Sequence, residues 1–206
     1  MTHHSNFKPS NDALYHPVAA MPSDAIIMRA QKIKLLILDV DGVLTTGYLD
    51  YDANGEAVKS FYVQDGLGVQ MLREQGIQLA IISGRDSPVT AARAKDLKIH
   101  HVLQGAQDKG AALARLLKTA GVALSECAYI GDDVIDLPIL RAVGLAVSVP
   151  NGHRLARSVA HWVTAQSGGA GAVRELAELI LFAQDKLWAA YAPYLGTDSV
   201  PTLEIV

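Results

Sequence analysis

Nothing limits the fold of this chain more than a set of short, nearly continuous apolar runs, three of which end in acidic or small polar residues. KLLILD (34–39), QLAIIS (78–83), CAYIGD (127–132) and GLAVSV (144–149) show no alternation of apolar and polar positions. A strand with one wet face alternates, so an unbroken run belongs to a strand covered on both faces. HHVLQ (100–104) and HWVT (161–164) read as shorter strands of the same kind. Between the runs lie helix-like stretches at 66–75, 87–96, 108–120, 134–143, 152–158 and 172–191. Ser87 reads as an N-cap with Pro88 in the first turn, and Gly76 and Gly121 close their helices. Val173, Leu176, Leu179, Ile180, Ala183 and Leu187 form a core stripe. Strands alternating with helices predict an α/β fold, a Rossmann-like parallel sheet flanked by helices. One segment breaks the rhythm: TGYLDYDANGEAVKSFYV (46–63) reads as a short β-hairpin insertion, turning at Asp52-Ala53-Asn54-Gly55.

The 206 residues suit one domain, and a 50% apolar content suffices for its core. We expect a flexible arm at 1–24, the folded domain at 25–191 with its hairpin, and a tail at 192–206. The tail holds Pro193 and Pro201, which stop helix formation, yet Tyr194, Leu195, Leu203, Ile205 and Val206 are apolar for a free end. SGGAGA (167–172) reads as a flexible loop. A net charge of −3 with no basic block gives no sign of a nucleic-acid partner. The apolar runs fall far short of the roughly 20 residues a membrane helix needs, so no membrane partner is expected. The polar N-terminus lacks an apolar signal region, and the single Cys127 fits a reducing cytoplasm, where it reads as a small buried residue. The histidines show no metal-ligand spacing and read as structural or surface groups.

In parallel sheets ligands bind at the carboxyl ends of the strands. The residues that interrupt the apolar pattern sit at those ends: Asp39 and Asp41, Ser83-Gly84-Arg85, and Gly131-Asp132-Asp133 followed by Asp136. Lys109 opens the helix after the third strand. Carboxylates crowded into one crevice repel unless a cation joins them, and an all-oxygen donor set favours Mg²⁺. No Gly-rich phosphate loop of the GxxxxGK[ST] type is present. A phosphate here would be held by Mg²⁺, Ser83, helix-start N–H groups and Lys109. One carboxylate in line with phosphorus can act as nucleophile, and a second can move the proton of the leaving oxygen.

DVDGVLT (39–45), Ser83-Gly84-Arg85, Lys109 and GDDVID (131–136), in that order, resemble the motifs of the haloacid dehalogenase superfamily of phosphohydrolases. FYVQDGLG (61–68), QGAQDKG (104–110), YIGDDVIDLP (129–138) and SGGAGAVREL (167–176) resemble, more closely, its 3-deoxy-D-manno-octulosonate 8-phosphate phosphatase branch, which supplies a sugar acid of the lipopolysaccharide core. The resemblance implies a capless fold, with Asp39 as nucleophile and Asp41 as acid and base. It implies Mg²⁺ on the Asp39 carboxylate, the Asp41 carbonyl and Asp132, with Asp133 and Asp136 behind them. Ser83 and Lys109 would hold the phosphoryl group, and Asp41, Tyr62, Val63, Gln64, Asp65, Gly66, Gly84, Arg85, Arg93 and Lys109 would meet the sugar phosphate. It further implies a homotetramer built through the 46–63 hairpins, with strands at 48–51 and 58–63, and a tail able to lie over a neighbour's site. That branch commonly has arginine where this chain has Gln64, Gln70 and Ala170. A nine-carbon sialic-type sugar 9-phosphate is the alternative substrate, and a non-catalytic tetrameric scaffold the alternative of another class.

Overall fold

The computed structural model describes Tyr15, Pro17 and residues 20–53 and 55–195. The first helix is α1 (Asp24–Ala30), followed by β1 (Leu35–Leu38). The hairpin is β2 (Asp50–Asp52) and β3 (Gly55–Val58), and α2 (Val63–Glu74) follows it. Next come β4 (Gln78–Ile82), α3 (Pro88–Asp96), β5 (His101–Leu103) and α4 (Lys109–Ala120). The second half holds β6 (Cys127–Ile130), α5 (Leu137–Leu140), β7 (Leu145–Ser148), α6 (Arg154–Val159) and β8 (Trp162–Val163). The described chain closes with α7 (Ala172–Ala183) and α8 (Leu187–Leu195).

Six strands form one sheet in the order β5-β4-β1-β6-β7-β8, with every pair parallel. The central strand β1 is apolar throughout because each face of the sheet has its own core. Leu36 and Leu38 of β1 join a cluster with α1, α2, α7 and α8, while Leu35 and Ile37 join another with α4, α5 and α6. Leu176 of α7 is wholly buried, which contributes about 1.5–3 kcal/mol. The chain leaves β1 toward β4 on one side and later returns to β6 on the other. The crevice opened by that reversal lies beyond Leu38, where a ligand site is expected.

Five local expectations change. The hairpin strands are shorter than 48–51 and 58–63; they pair antiparallel from Asp50↔Val58 to Asp52↔Gly55, and Asn54 of the expected turn lies outside the described residues. The helix of 172–191 is two helices, because Asp185 takes a left-handed φ of 55° and Gln184 turns its amide to the carbonyl oxygens of Ala30 and Ile33. Pro193 sits inside α8 rather than before its end: it forfeits one bond to the Ala189 carbonyl, and the helix runs on to Leu195. The SGGAGA segment is packed, not loose. The Gly169 N–H donates to the Val43 carbonyl at 2.8 Å, and a side chain on Gly168 would strike the Gly42 carbonyl. Most of the expected arm lies outside the described residues, but Tyr15 is buried and stacks on Phe182 with ring centroids 4.4 Å apart. Ser87 stands at the start of α3 without a side-chain cap bond, whereas Asp108 caps α4 by accepting from the Ala111 N–H at 2.9 Å.

Candidate active site

Asp39 is the first residue past β1, and its own N–H donates to the Ile130 carbonyl of β6 at 3.1 Å. This bond fixes the strand end so that the carboxylate faces the crevice. Lys109 reaches it from the start of α4, with Nζ 2.8 Å from Asp39 Oδ1. The same ammonium donates to Asp136 Oδ1 at 2.6 Å and to the Tyr129 hydroxyl at 3.2 Å. Tyr129 in turn donates to Asp136 Oδ1 at 2.6 Å. The other oxygen of Asp136 accepts the N–H groups of Asp132 and Asp133, each at 2.9 Å. Asp136 is therefore committed on both oxygens: it shapes the turn after β6 and anchors Lys109.

Asp132 follows β6 and leans on Gly42. A side chain at Gly42, which holds a φ of 90°, would strike the Asp132 carboxylate, so only glycine serves there. Asp132 Oδ1 is buried and has no hydrogen-bond partner. Oxygen atoms of Asp39, Asp132 and Asp136 lie within 4.8 Å of one another. Burial pushes the Asp39 carboxyl up to about 6, and Asp136 adds to the rise while Lys109 opposes it. Burial pushes Asp132 up to about 7, helped by Asp39, Asp136 and Asp133. Lys109 is held above its ordinary value: burial alone would lower it, but Asp39 and Asp136 outweigh burial. Two carboxylates short of positive charge, one with an unpartnered buried oxygen, fit a hard divalent cation, and their oxygen-only donors fit Mg²⁺.

Asp41 stands apart. Its side chain is 21% exposed, and two cations flank it: Lys59 Nζ pairs with Oδ1 at short range, and Arg85 Nε lies 3.7 Å from Oδ2. Arg85 also donates from Nη1 to the Tyr51 hydroxyl of β2 at 3.2 Å. Ser83, just past β4, is buried, and its Oγ accepts the Arg85 N–H at 3.3 Å. The Gly84 carbonyl accepts from the Gln107 amide at 3.2 Å.

The remaining expected residues make contacts of their own. Asp133 is exposed and caps the turn at Val134. Tyr62 and Gln64 line a separate cavity of about 470 Å³ with Ala170 and Arg174, and Val63 is exposed beside them. Asp65 is buried and accepts the Arg174 N–H at 2.8 Å and the Gly171 N–H at 3.4 Å, so it ties α2 to the start of α7. Gly66 lies under the Arg93 guanidinium, which pairs with Asp96 at 2.7 Å and stacks over Phe61. Two residues of this site escaped the sequence reading. Lys59 reads only as part of the 46–63 hairpin, and Tyr129 only as part of the apolar run CAYIGD. A lysine next to a hairpin arm that faces the strand-end carboxylates was the available signal for the first. Among the described histidines, His153 and His161 accept backbone N–H groups of Leu155 and Ala146. Cys127 is buried, and burial pushes its thiol up to about 11.

The family profile described as haloacid dehalogenase-like hydrolase matches residues 95–176. The 3-deoxy-D-manno-octulosonate 8-phosphate phosphatase of Yersinia pestis is 46% identical over 179 residues, covering 87% of this chain and 94% of that protein. The protein of the same name from Haemophilus influenzae is 47% identical over 158 residues, or 77% of this chain and 88% of that one. A crystal structure of 3-deoxy-D-manno-octulosonate 8-phosphate phosphatase from Moraxella catarrhalis, in complex with magnesium ion, phosphate ion and KDO, matches with a TM-score of 0.81 at 48% identity, covering 84% of this chain and 99% of that one. The chain belongs to the 3-deoxy-D-manno-octulosonate 8-phosphate phosphatase family of haloacid dehalogenase-like hydrolases.

Proposed function

We propose that this chain is a Mg²⁺-dependent phosphatase that hydrolyses 3-deoxy-D-manno-octulosonate 8-phosphate to the free sugar acid and phosphate, in the supply of the lipopolysaccharide core. The observation that carries this reading is the pair of strand-end carboxylates, Asp39 and Asp132, gathered with Lys109 in one crevice. Asp39 attacks phosphorus, and the bond from phosphorus to the sugar oxygen breaks while Asp41 gives that oxygen a proton. A water then attacks the aspartyl-phosphate, Asp41 takes its proton, and the bond to Asp39 breaks to free phosphate. Lys109 and Ser83 hold the transferring oxygens, and Asp136 with Tyr129 keeps Lys109 in place. Mg²⁺, held by the Asp39 and Asp132 carboxylates and the Asp41 carbonyl, supplies positive charge for the phosphoryl oxygens when bound. Asp133 caps the turn that carries Asp132.

The sugar phosphate would be met by residues 62–66 together with Gly84, Arg85 and Arg93. The hairpin supports assembly through 46–63 into a homotetramer: Tyr51 of β2 and Tyr48 ahead of it are 62% and 84% exposed, and the two-stranded sheet pairs with nothing else among the described residues. The cytoplasm is the compartment we assign, and among the described residues no helix is long and apolar enough to cross a membrane. Residues 192–206 would cover a neighbour's site; most of them lie outside the described residues, and truncation after Pro193 tests the idea through turnover and substrate affinity. The names of the relatives favour the eight-carbon substrate over the nine-carbon one. Side-by-side kinetics on the two sugar phosphates, with and without Mg²⁺, test the reading. We expect a higher kcat/KM for the eight-carbon compound, lost on chelation. Preference for the nine-carbon compound, or indifference to chelation, would overturn it.

A further inference from the structure

Lys59 is a cation in an unusual place. It lies immediately beyond β3, yet its side chain is 1% exposed. Burying an ammonium is costly unless it is paired, and Asp41 Oδ1 is its close partner. The second oxygen of the same carboxylate faces Arg85, and Arg85 is itself held by the Tyr51 hydroxyl. Both arms of the hairpin thus reach Asp41, β3 through Lys59 directly and β2 through Tyr51 and Arg85. A carboxylate gripped on both oxygens is held in one orientation, and a base has to be held within reach of the water whose proton it takes.

We infer that Lys59 is a positioning residue for Asp41 in the hydrolytic half of the reaction, and that the hairpin thereby completes the catalytic centre of its own subunit. The inference rests on the two-step reading above. It has a specific kinetic signature, because p-nitrophenolate leaves without needing a proton while the aspartyl-phosphate still needs a base to break down. In Lys59→Met, kcat should fall about 10- to 100-fold, with KM changed less than about threefold. Its kcat should become the same for p-nitrophenyl phosphate and for the sugar phosphate, since both pass through one slow, shared step. Rapid mixing should show a burst of p-nitrophenolate near one equivalent per subunit before that slow phase. Lys59→Arg, which keeps the charge, should return kcat to within about fivefold of the unaltered enzyme. Where methionine prevents folding, Lys59→Gln carries the same readouts. Unchanged kcat, or a fall without a burst and with the two substrates still different, would overturn the inference. Asp39→Asn, measured alongside, separates the two claims: activity there would sink the two-step reading itself, whereas an inactive Asp39→Asn with an unaffected Lys59→Met would sink only the role of Lys59.

Discussion

Asp39 and Asp41 are two residues apart and occupy unlike surroundings. Asp39 is almost fully buried, pinned by a backbone bond to β6 and by Lys109 from α4, both parts of the rigid sheet layer. Asp41 is partly open to solvent, and its cations come from the hairpin and from the loop after β4. A nucleophile has to sit still in line with phosphorus, which suits the rigid end of a central strand. A proton carrier serves two oxygens in turn, the leaving sugar oxygen and then water, which suits a group at the edge of the crevice. In the proposed mechanism the same short motif would serve two roles, because the strand ends between the two residues and Gly42 then turns the chain. Separate environments for paired carboxylates are how acid–base roles are divided in general.

The largest effect belongs to Asp39→Asn, which should lower turnover about 10⁴-fold or more while the fold persists; retained activity by phosphate release assay would erase the distinction. Lys109→Met attacks the buried side next. It strands Asp39 and Asp136 without their cation, so we expect a loss of about 3–5 kcal/mol in urea unfolding and a fall in kcat of about 10²–10³. A variant as stable as the unaltered protein would show that Lys109 does not hold the cluster together.

Metal dependence sharpens the contrast through pH. Asp39 and Asp132 have native values of about 6 and about 7, against an ordinary 3.8. Between 3.8 and those values the folded protein binds more protons than the unfolded chain. These two groups therefore make the metal-free protein less stable as pH rises through that window. A cation shared by the charged carboxylates offsets that cost, so added MgCl₂ should raise Tm more at pH 8 than at pH 5. Equal shifts at both pH values would contradict the assigned site. The smallest effect is expected at the exposed side: Tyr51→Phe removes one hydrogen bond to Arg85 and should cost less than about threefold in kcat.

The crevice was legible in the sequence because strands covered on both faces cannot hide polar residues. Asp39, Ser83 and Asp132 stood out against apolar runs, Lys109 opened the helix after the third strand, and the parallel order of the strands brought them to one edge. What stayed hidden depended on contacts between distant segments. Asp65 is expected from the resemblance only to meet the sugar phosphate, and its two bonds to the start of α7 span more than 100 residues of chain. Gln184 and Asp185 interrupt an apolar stripe in a way that single-sequence periodicity passes over, because the carbonyls that Gln184 meets lie at the end of α1 and just past it. The glycines of 168–169 looked like freedom and are instead close approach to residues 42–46.

The division of labour between the two aspartates is tested most directly by acid quench of turnover on ³²P-labelled substrate, followed by peptide mapping of the label. In Asp41→Asn the account predicts label accumulating on the peptide that carries Asp39, at a level well above that of the unaltered enzyme. Label absent from Asp39, or found on another residue, would contradict it.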